Sequence, residues 1–485
     1  MAEETTISRT VLVLGVGPTP PEKPSRLHAP GLRLWSLARF LARRGFEVVV
    51  GMVGFGGQDE ATEKGSERRE VGGKKEEKSE EHPKDEGLVA ETLADNIPCY
   101  RLPYDIEAAA QRVGEIFARH QPRCVVSTTD FMNLAAVVAR LPAPLWLDFM
   151  GQPMSERQLL ADVYGSDEGL HDQWRYVLPS LLGGDRFSVC SHRQRYMLLG
   201  ELGAVGRLNR HTAREDLVEV LVPFHLFETE FEHTRDVLRN VCVRGTDFVV
   251  LWTGGYNTWT DVETLYEGLE RAMAQHRRIV FVSTGGAIPG HDDRTFERFR
   301  QLVENSSRKS RYKLCGWVPT EDMPNYYLES NIALNVDRWS VEGQVGYRTR
   351  ILDWIMAGLP VVTTVLCELT QDLADHNFLT TFRIGDPKEL SIRLAALAVD
   401  CSQAIERTNK AREYLRTKLD PEVALASLAA WAADPRPAPD LPPPAQRPNL
   451  PLCCPENSLA HLHRATLTSA PKEKRFWARL LGRLT

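Results

Sequence analysis

Length, composition and charge exclude several classes of protein before any motif is considered. The chain has 485 residues, 42% of them hydrophobic and 26% charged, with a formal net charge of −6. The apolar content is sufficient for more than one buried core. A general nucleic-acid binder needs a basic face, which this charge balance does not favour. No apolar run reaches the roughly 20 residues that a membrane-spanning helix requires.

The cysteines and the N-terminus predict a cytoplasmic protein. The nine cysteines are scattered, and the adjacent pair at 453–454 has no second pair at zinc spacing. The first ten residues are acidic and polar, unlike a signal peptide. We therefore expect reduced thiols, no metal site and no bound cofactor.

The first half of the chain alternates predicted strands and helices. Thr10–Val16 is an apolar, partly β-branched run typical of a buried parallel strand, and residues 32–45 form an amphipathic helix pattern that ends at Gly45. The intervening loop lacks the GxGxxG spacing, which argues against a nicotinamide cofactor. Further strands are predicted at 46–50, 124–128, 144–148, 187–190 and 217–223, and helices at 106–120 and 131–141.

Two aspartates follow predicted strands of this half. Asp130 comes after the strand at 124–128, and Asp148 ends the strand at 144–148. Ligands of open parallel sheets bind beyond the carboxyl ends of strands, so both are candidate substrate contacts. Either carboxylate could instead cap the following helix, and for Asp130 we favour that interpretation.

The second half repeats the alternation, which predicts two consecutive doubly wound α/β domains. Strands are predicted at 248–252, 279–283, 332–336, 361–364 and 381–384, and helices at 262–275, 296–305, 323–329 and 385–398. We place the first domain at residues 1–232 and the second at 233–434. Residues 57–87 are almost without apolar side chains and predict a disordered surface insertion.

The C-terminal residues 435–485 change in composition. A proline-rich spacer, expected to be extended, precedes the segment KEKRFWARLLGRLT, whose apolar residues fall on one helical face flanked by Lys and Arg. Such a basic amphipathic helix can dock on an anionic membrane surface, on the body of the protein or on a partner, and the sequence leaves these alternatives open.

The stretch 335–364, NVDRWSVEGQVGYRTRILDWIMAGLPVVTT, carries the chemistry-bearing pattern. An acidic residue precedes a glycine turn, an amphipathic helix with an inward carboxylate follows, and a Gly-Leu-Pro entry leads into a strand. Loop amides and a helix start that meet in this order predict an anion site.

These residues resemble the GT-B glycosyltransferases, in particular glycosyltransferase family four. The segment 351–363 is the most specific part, GDPKEL at 385–390 is also similar, and the resemblance covers most of residues 10–434. It implies two Rossmann-like domains facing across a cleft. It also implies sugar transfer from a nucleotide-sugar donor, with retention of configuration and without a required metal.

The resemblance also implies roles for individual residues. Glu342 matches the first acid of the family, which contacts the donor sugar or its phosphates, and Asp353 matches the second, which binds the ribose. Asp148 is a weaker match to a polar residue facing the transferred sugar. The donor-phosphate loop corresponds to Gly254, Gly255, Tyr256 and Asn257, and the loop beside the base to Trp317 and Val318.

Three features depart from the family pattern. Ten residues rather than seven separate Glu342 from Asp353, an aspartate replaces a glutamate, and the phosphate loop lacks the expected Arg and Lys. A departing diphosphate needs cations, and the candidates are Arg338, Arg348 and Arg350. We favour Arg348 or Arg338, because Arg350 could simply pair with Asp353 one turn away.

The sequence therefore predicts a cytoplasmic glycosyltransferase with an unidentified sugar, lipid-linked or small-molecule acceptor. The basic C-terminal segment also allows a position at the inner face of the membrane. Two alternatives remain open: a nucleotide-sugar epimerase of the same fold, for which Asp130, Asp148 and Glu342 would supply carboxylates, and a non-catalytic sugar- or partner-binding relative. A tight strand-to-helix turn also explains Gly254 and Gly255 without a ligand.

Overall fold

The computed structural model describes residues 9–24, 26–54, 88–223 and 231–447. The charged insertion 57–87 and the basic segment 472–485 lie outside these ranges, so the predictions made for them stay predictions. Among the described helices, none combines the length and the apolar character that crossing a membrane requires.

The first sheet is built from eight strands and is covered by six helices. Its strands are β1 Thr10–Val16, β2 Glu47–Val53, β3 Ala90–Thr92, β4 Pro98–Leu102, β5 Cys124–Thr128, β6 Leu145–Phe149, β7 Arg186–Val189 and β8 Val218–Val220. They lie in the order β3-β4-β2-β1-β5-β6-β7-β8, and only β3 runs antiparallel to its neighbour. The helices are α1 Ala29–Arg43, α2 Ile106–His120, α3 Asp130–Val138, α4 Pro153–Tyr164, α5 Glu168–Gly183 and α6 His192–Ala204.

The second sheet is fully parallel. Its strands are β9 Phe248–Thr253, β10 Ile279–Thr284, β11 Tyr312–Leu314, β12 Ile332–Asn335, β13 Val361–Thr364 and β14 Thr380–Phe382, in the order β11-β10-β9-β12-β13-β14. Its helices are α7 Val262–Gln275, α8 Arg294–Glu304, α9 Met323–Leu328, α10 Val341–Val345, α11 Thr349–Met356, α12 Glu368–Asp375 and α13 Pro387–Val399. The chain then continues through α14 Ser402–Lys418, α15 Pro421–Ala424 and α16 Ala426–Ala433.

The two sheets confirm the predicted fold class of tandem Rossmann-like domains. Both are buried on two faces because helices cover them, so their central strands are continuous apolar runs: all seven residues of β1 and all six of β9 are buried. The sequence pattern indicates no helix between residues 150 and 186, where α4 and α5 lie. Pro179 inside α5 and the mixed polarity of both segments obscure the helical period there.

The C-terminal residues return to the first domain. Trp431 of α16 packs edge-on against Trp146 of β6, with ring centroids 5.4 Å apart. In the predicted proline-rich spacer, Asp440 forms a bidentate ion pair with Arg207, and both side chains are almost fully buried. The described part of that spacer, residues 435–447, is therefore packed on the first domain, because a buried ion pair anchors it there.

Candidate active site

Loops that follow strands of both sheets meet across a cleft. Thr320 donates a hydrogen bond to the carbonyl oxygen of Pro24 at 2.9 Å. The Arg193 Nη1 donates to the carbonyl oxygen of Leu366 at 2.6 Å, and the Tyr164 hydroxyl contacts the Asp293 Oδ1 at 2.7 Å. These contacts close the two domains on each other around the polar residues described below.

The loop after β9 forms one wall of the cleft. Gly254 has a positive φ of 78°, which favours glycine, and its carbonyl oxygen lies so close to Gly285 that a Cβ there would be 1.9 Å away. Two backbone segments therefore touch directly at this point. The predicted phosphate loop is therefore a tight turn, and its Gly254 and Tyr256 N–H groups donate to the carbonyl oxygens of Thr284 and Gly286, both at 3.1 Å.

Tyr256 and Asn257, predicted to line this loop, do not both face the cleft. The Tyr256 ring is fully buried and stacks on Trp252 with centroids 4.8 Å apart, and its hydroxyl donates to Ser283 at 2.9 Å. Tyr256 is thus a core residue beneath the loop. Asn257 accepts a backbone hydrogen bond from Thr260 at 2.8 Å and closes the turn that follows.

Arg348 is held between two acidic side chains. Its Nε donates to Asp337 at 2.9 Å, and its two terminal nitrogens donate to Glu342 at 3.1 and 2.9 Å. Burial disfavours the charged guanidinium, but Asp337 and Glu342 outweigh it and raise the pKa of Arg348. Trp259 lies 4.8 Å from the guanidinium, and each of the three nitrogens of Arg348 already has a carboxylate acceptor.

Arg350 lies beside the glycine loop with a spare donor. Its Nη2 donates to the carbonyl oxygen of Gly255 at 3.1 Å, and its guanidinium sits 4.9 Å above the Trp252 ring. Its Nη1 is buried and finds no hydrogen-bond acceptor within the described residues. Burial lowers the pKa of Arg350 to about 10, with Asp337 opposing and Arg348 adding to the shift, so the side chain stays charged at neutral pH. The sequence favours Arg348 over Arg350 as a ligand of the diphosphate, and Arg350 is the one whose guanidinium donates to the glycine loop.

Trp317 lies where the two domains meet. Its Nε1 donates to the carbonyl oxygen of Ala287 at 2.9 Å, Arg26 lies 6.0 Å from its ring, and the His28 ring centroid is 5.5 Å away. Burial, together with Arg26 and His291, lowers the pKa of His28 to about 4. Val318 follows in the same loop and is partly buried.

Arg338 and Asp353 occupy the flanks of the site. The Arg338 Nη2 donates to the carbonyl oxygen of Thr260 at 2.9 Å, which ties it to the turn after the glycine loop. Asp353 lies one turn after Arg350 on α11 and close enough to Tyr327 to raise the pKa of that phenol, although burial is the larger cause.

Asp148 is separated from the cleft. It is fully buried and forms a bidentate ion pair with Arg33 at 2.9 and 2.7 Å. Thr128 and Ser188 donate to its remaining acceptor positions at 2.9 and 2.6 Å. Asp148 is thus satisfied inside the first domain and presents no oxygen to a substrate. No pattern in the sequence indicates Arg33 as its partner, since 115 residues separate them.

Asp130 begins α3 at the cleft side of the first sheet. Its Oδ1 accepts from the backbone of Phe131 at 2.9 Å and its Oδ2 from Gln173 at 2.5 Å. Sequence reasoning missed Glu156 on α4, which faces Glu342 across the cleft, and His291, which approaches His28 from the second domain. Neither lies in a recognisable motif, because each reaches the cleft from an irregular loop or an unpredicted helix.

The second domain also matches a known family. Residues 247–400 match the model of glycosyl transferases group 1. We call residues 247–400 the group 1 domain because of this similarity. The match confirms the predicted resemblance and the assignment of the group 1 domain to the transferases.

Solved structures share the fold of most of the chain. Sucrose-phosphate synthase from Thermosynechococcus elongatus is 13% identical with a TM-score of 0.60, and the alignment covers 95% of this chain and 100% of that one. Anabaena HepE in complex with UDP and glucose is 13% identical with a TM-score of 0.56, covering 87% and 99%. An E. coli trehalose-6-phosphate structure bound with UDP-2-fluoro glucose is 11% identical with a TM-score of 0.58, covering 88% and 100%. These likenesses confirm the GT-B fold. A search among curated proteins gives no match.

Proposed function

We propose that the chain transfers a sugar from a UDP-sugar donor to an acceptor bound by the first domain. The observation that carries the proposal is Arg350, a buried guanidinium with an unpaired Nη1 beside the glycine loop of the group 1 domain. A buried cation with a spare donor beside a tight glycine turn suits a diphosphate, whose charge grows as it leaves the sugar. Fold relatives with bound UDP or UDP-sugar support this choice of donor.

The remaining nucleotide contacts follow from the same placement. With the diphosphate at Gly254 and Gly255, Asp353 on α11 is proposed to bind the ribose, and Trp317 and Val318 to flank the base. Arg338 is tied to Thr260 and supports the loop from behind.

Glu342 and Arg348 are proposed to border the transferred sugar as a paired wall of the site. Because both side chains are held in one ion-pair cluster with Asp337, neither is a free carboxylate or a free cation. Of the three residues predicted as catalytic, Asp148 has no part in this proposal, because it forms a buried ion pair with Arg33 inside the first domain.

Retention of configuration and independence of a metal are parts of the same proposal. Arg348 donates to the Asp337 Oδ2 and to both oxygens of Glu342, so a cation of the protein itself already offsets part of their charge. The buried Asp337 Oδ1 has no hydrogen-bond partner among the described residues. We expect full activity after treatment with EDTA, and an α-linked product from an α-linked donor when the product is examined by NMR. Loss of activity that Mg²⁺ or Mn²⁺ restores would contradict the metal-independent mechanism.

Membrane contact through the segment 474–484 also remains a proposal, drawn from sequence alone. We expect the full chain to co-sediment with vesicles containing phosphatidylglycerol and the Trp477→Ser variant to do so less. Equal binding of both to vesicles would argue that the tail serves another purpose.

The central test is nucleotide binding measured by titration calorimetry. UDP should bind more tightly than GDP or ADP, and Arg350→Gln should weaken UDP binding by roughly 10- to 100-fold, since a charge-assisted contact is lost. Arg298→Gln, on the exposed side of α8, is the matched control and should bind UDP normally. If none of the three nucleotides binds, transfer and epimerisation are both excluded for these donors. If UDP-glucose is converted to another UDP-sugar without an acceptor, the epimerase alternative is correct.

A further inference from the structure

An open cavity of about 610 Å³ lies at the amino ends of three neighbouring strands of the second sheet. Of the residues that line it, Asp247 precedes β9, Val280 lies at the start of β10 and Lys313 at the start of β11. Gly254 follows β9 at the opposite edge of the sheet, roughly 20 Å away at about 3.3 Å per strand residue. The cavity is therefore separate from the glycine loop, and its size is that of a small-molecule site.

The segment 240–247 forms one wall of this cavity and is held in place by its own hydrogen bonds. The Arg239 Nη1 donates to the carbonyl oxygens of Arg244 and Asp247 at 3.2 and 2.7 Å. The N–H of Arg244 in turn donates to the Asp247 carboxylate at 2.8 Å. A wall that is already ordered lowers the entropic cost of binding a ligand.

The charged groups that line the cavity are three cations and one carboxylate, namely Arg244, Arg311, Lys313 and Asp247. Asp247 pairs with Arg244 at 2.8 Å. Arg311 donates to the carbonyl oxygens of Met273 and His276 at 2.7 and 3.1 Å, which fixes its position without the opposing charge of a carboxylate. The Lys313 Nζ forms no ion pair or hydrogen bond within the described parts of the chain. Two positive charges thus face the cavity without a paired carboxylate, on a chain whose net charge is −6.

The surroundings of Arg311 also lack a compensating anion. Burial and the neighbouring Arg308 lower the pKa of Arg311, although Glu270 and Asp247 oppose the shift. Glu270 already accepts hydrogen bonds from Arg308 and from the Tyr312 hydroxyl, both at 2.9 Å. An anion bound in the cavity would supply the missing charge.

We propose that this cavity binds the phosphate group of a small molecule other than the nucleotide donor. The uncompensated cations attract the charge, and the hydroxyl of Ser310 and the amide of Asn240, which also line the cavity, can donate to further phosphate oxygens. Substrates of open parallel sheets bind beyond the carboxyl ends of the strands, whereas this site lies at the amino ends. The site is independent of the proposed function.

The test is the binding of inorganic phosphate and pyrophosphate to the full chain, measured by titration calorimetry. Pyrophosphate carries more charge and should bind more tightly, and Lys313→Gln should weaken its binding by roughly tenfold, since a charge-assisted contact is lost. Lys309→Gln is the matched control, because Lys309 is exposed four positions earlier and does not line the cavity. This variant should bind pyrophosphate like wild type.

Cys242 provides a second measurement at the site itself, because its exposed thiol lines the cavity. Pyrophosphate should slow the alkylation of Cys242 by iodoacetamide, followed by peptide mass spectrometry. The alkylation of the half-buried Cys401, which does not line the cavity, should not change. If Cys242 is alkylated at the same rate with and without pyrophosphate, the inference is wrong.

The donor loop could also attract pyrophosphate, so the titrations are repeated with Arg350→Gln. Binding that Lys313→Gln weakens should persist in this variant. If neither anion binds, or if Arg350→Gln abolishes pyrophosphate binding while Lys313→Gln leaves it unchanged, the inference is wrong and the proposed function is unaffected. UDP affinity, measured on the same proteins, should be unchanged by Lys313→Gln. If UDP fails to bind while pyrophosphate binding still depends on Lys313, the proposed function fails and the phosphate site stands.

Discussion

Two arginines two positions apart have opposite environments. Arg348 caps the start of α11 and is saturated by Asp337 and Glu342, whereas Arg350 enters the helix beside Gly255 with one nitrogen unpaired. Residues at i and i+2 do not face the same side of a helix, so neighbours in sequence reach different partners. The saturated arginine stabilises the fold, and the unsaturated one is available to a ligand.

The role of Arg348 predicts a loss of stability. Replacing it with Met leaves Asp337 and Glu342 buried without a counter-charge, and we expect the free energy of unfolding to fall by about 3–5 kcal/mol. Urea unfolding followed by circular dichroism measures the change. Adding Glu342→Leu to Arg348→Met should recover part of the loss, because one stranded charge is removed. Equal stability of wild type and the Met variant would show that the pair is not structural.

Replacing Asp148 should also destabilise the protein, without weakening the binding of the donor. In Asp148→Asn, Arg33 loses its counter-charge inside the first sheet, so we expect unfolding at a lower urea concentration. The affinity of the folded protein for UDP-glucose should stay within a factor of about two, since additivity holds for sites that share no partner. A stable variant with strongly weakened donor binding would return Asp148 to the sugar site.

At the scale of elements, the glycine loops after β9 and β10 depend on each other. A Cβ at Gly285 would lie 1.9 Å from the carbonyl oxygen of Gly254, whereas a Cβ at the neighbouring Gly286 would meet the side chain of Phe296 at about 3.5 Å. The loop that is proposed to hold the diphosphate therefore keeps its shape through a backbone contact with a second strand end.

This contact predicts different effects for two adjacent glycines. Gly285→Ala would place a Cβ 1.9 Å from a backbone oxygen, so the Gly254 loop must move, and UDP affinity should fall by about tenfold or more. Gly286→Ala is the control and should bind UDP almost normally. Both are compared by calorimetry after thermal unfolding has shown that they fold. If Gly286→Ala bound UDP more weakly than Gly285→Ala, the contact between Gly285 and Gly254 would not be what shapes the loop.

At the scale of the whole molecule, imidazoles from both domains lie at the closed interface. His28 belongs to the loop after β1 and His291 to the segment before α8, and burial lowers both of their pKa values. Because these pKa values are lowered, the two histidines stay neutral in the closed form. In an open or unfolded form they take up a proton below about pH 6.5. The closed form should therefore lose stability as the pH falls from about 6.5 towards 4.

We expect the thermal unfolding midpoint to be lower at pH 5 than at pH 7.5. In His28→Gln this difference should be smaller. The exposed His211 offers a control, and His211→Gln should show the wild-type drop. Small-angle scattering at both pH values would show whether the domains separate before they unfold. An unchanged drop in His28→Gln would remove this histidine from the interface.

The fold could be predicted from local sequence signals, and the same signals indicate a candidate donor loop. Apolar runs of strand length alternate with amphipathic helices, and the bounds of α2, β5, α7 and β13 coincide with their predicted ranges. These elements are set by period and capping within ten to fifteen residues, which a sequence displays directly. The stretch 351–363 likewise marks the family, because its glycine and proline fix a helix end and a strand entry.

Only the tertiary structure decided which charges are free. Arg33 and Asp148 are far apart in the chain, Glu156 meets Glu342 across two domains, and the partners of Arg348 depend on how α10 folds back. Electrostatic energy depends on distance and burial in space, and neither can be read from spacing along the chain. By itself, the sequence determined two Rossmann-like domains and a candidate donor loop, and three-dimensional packing decided that Arg350, rather than Arg348, faces it.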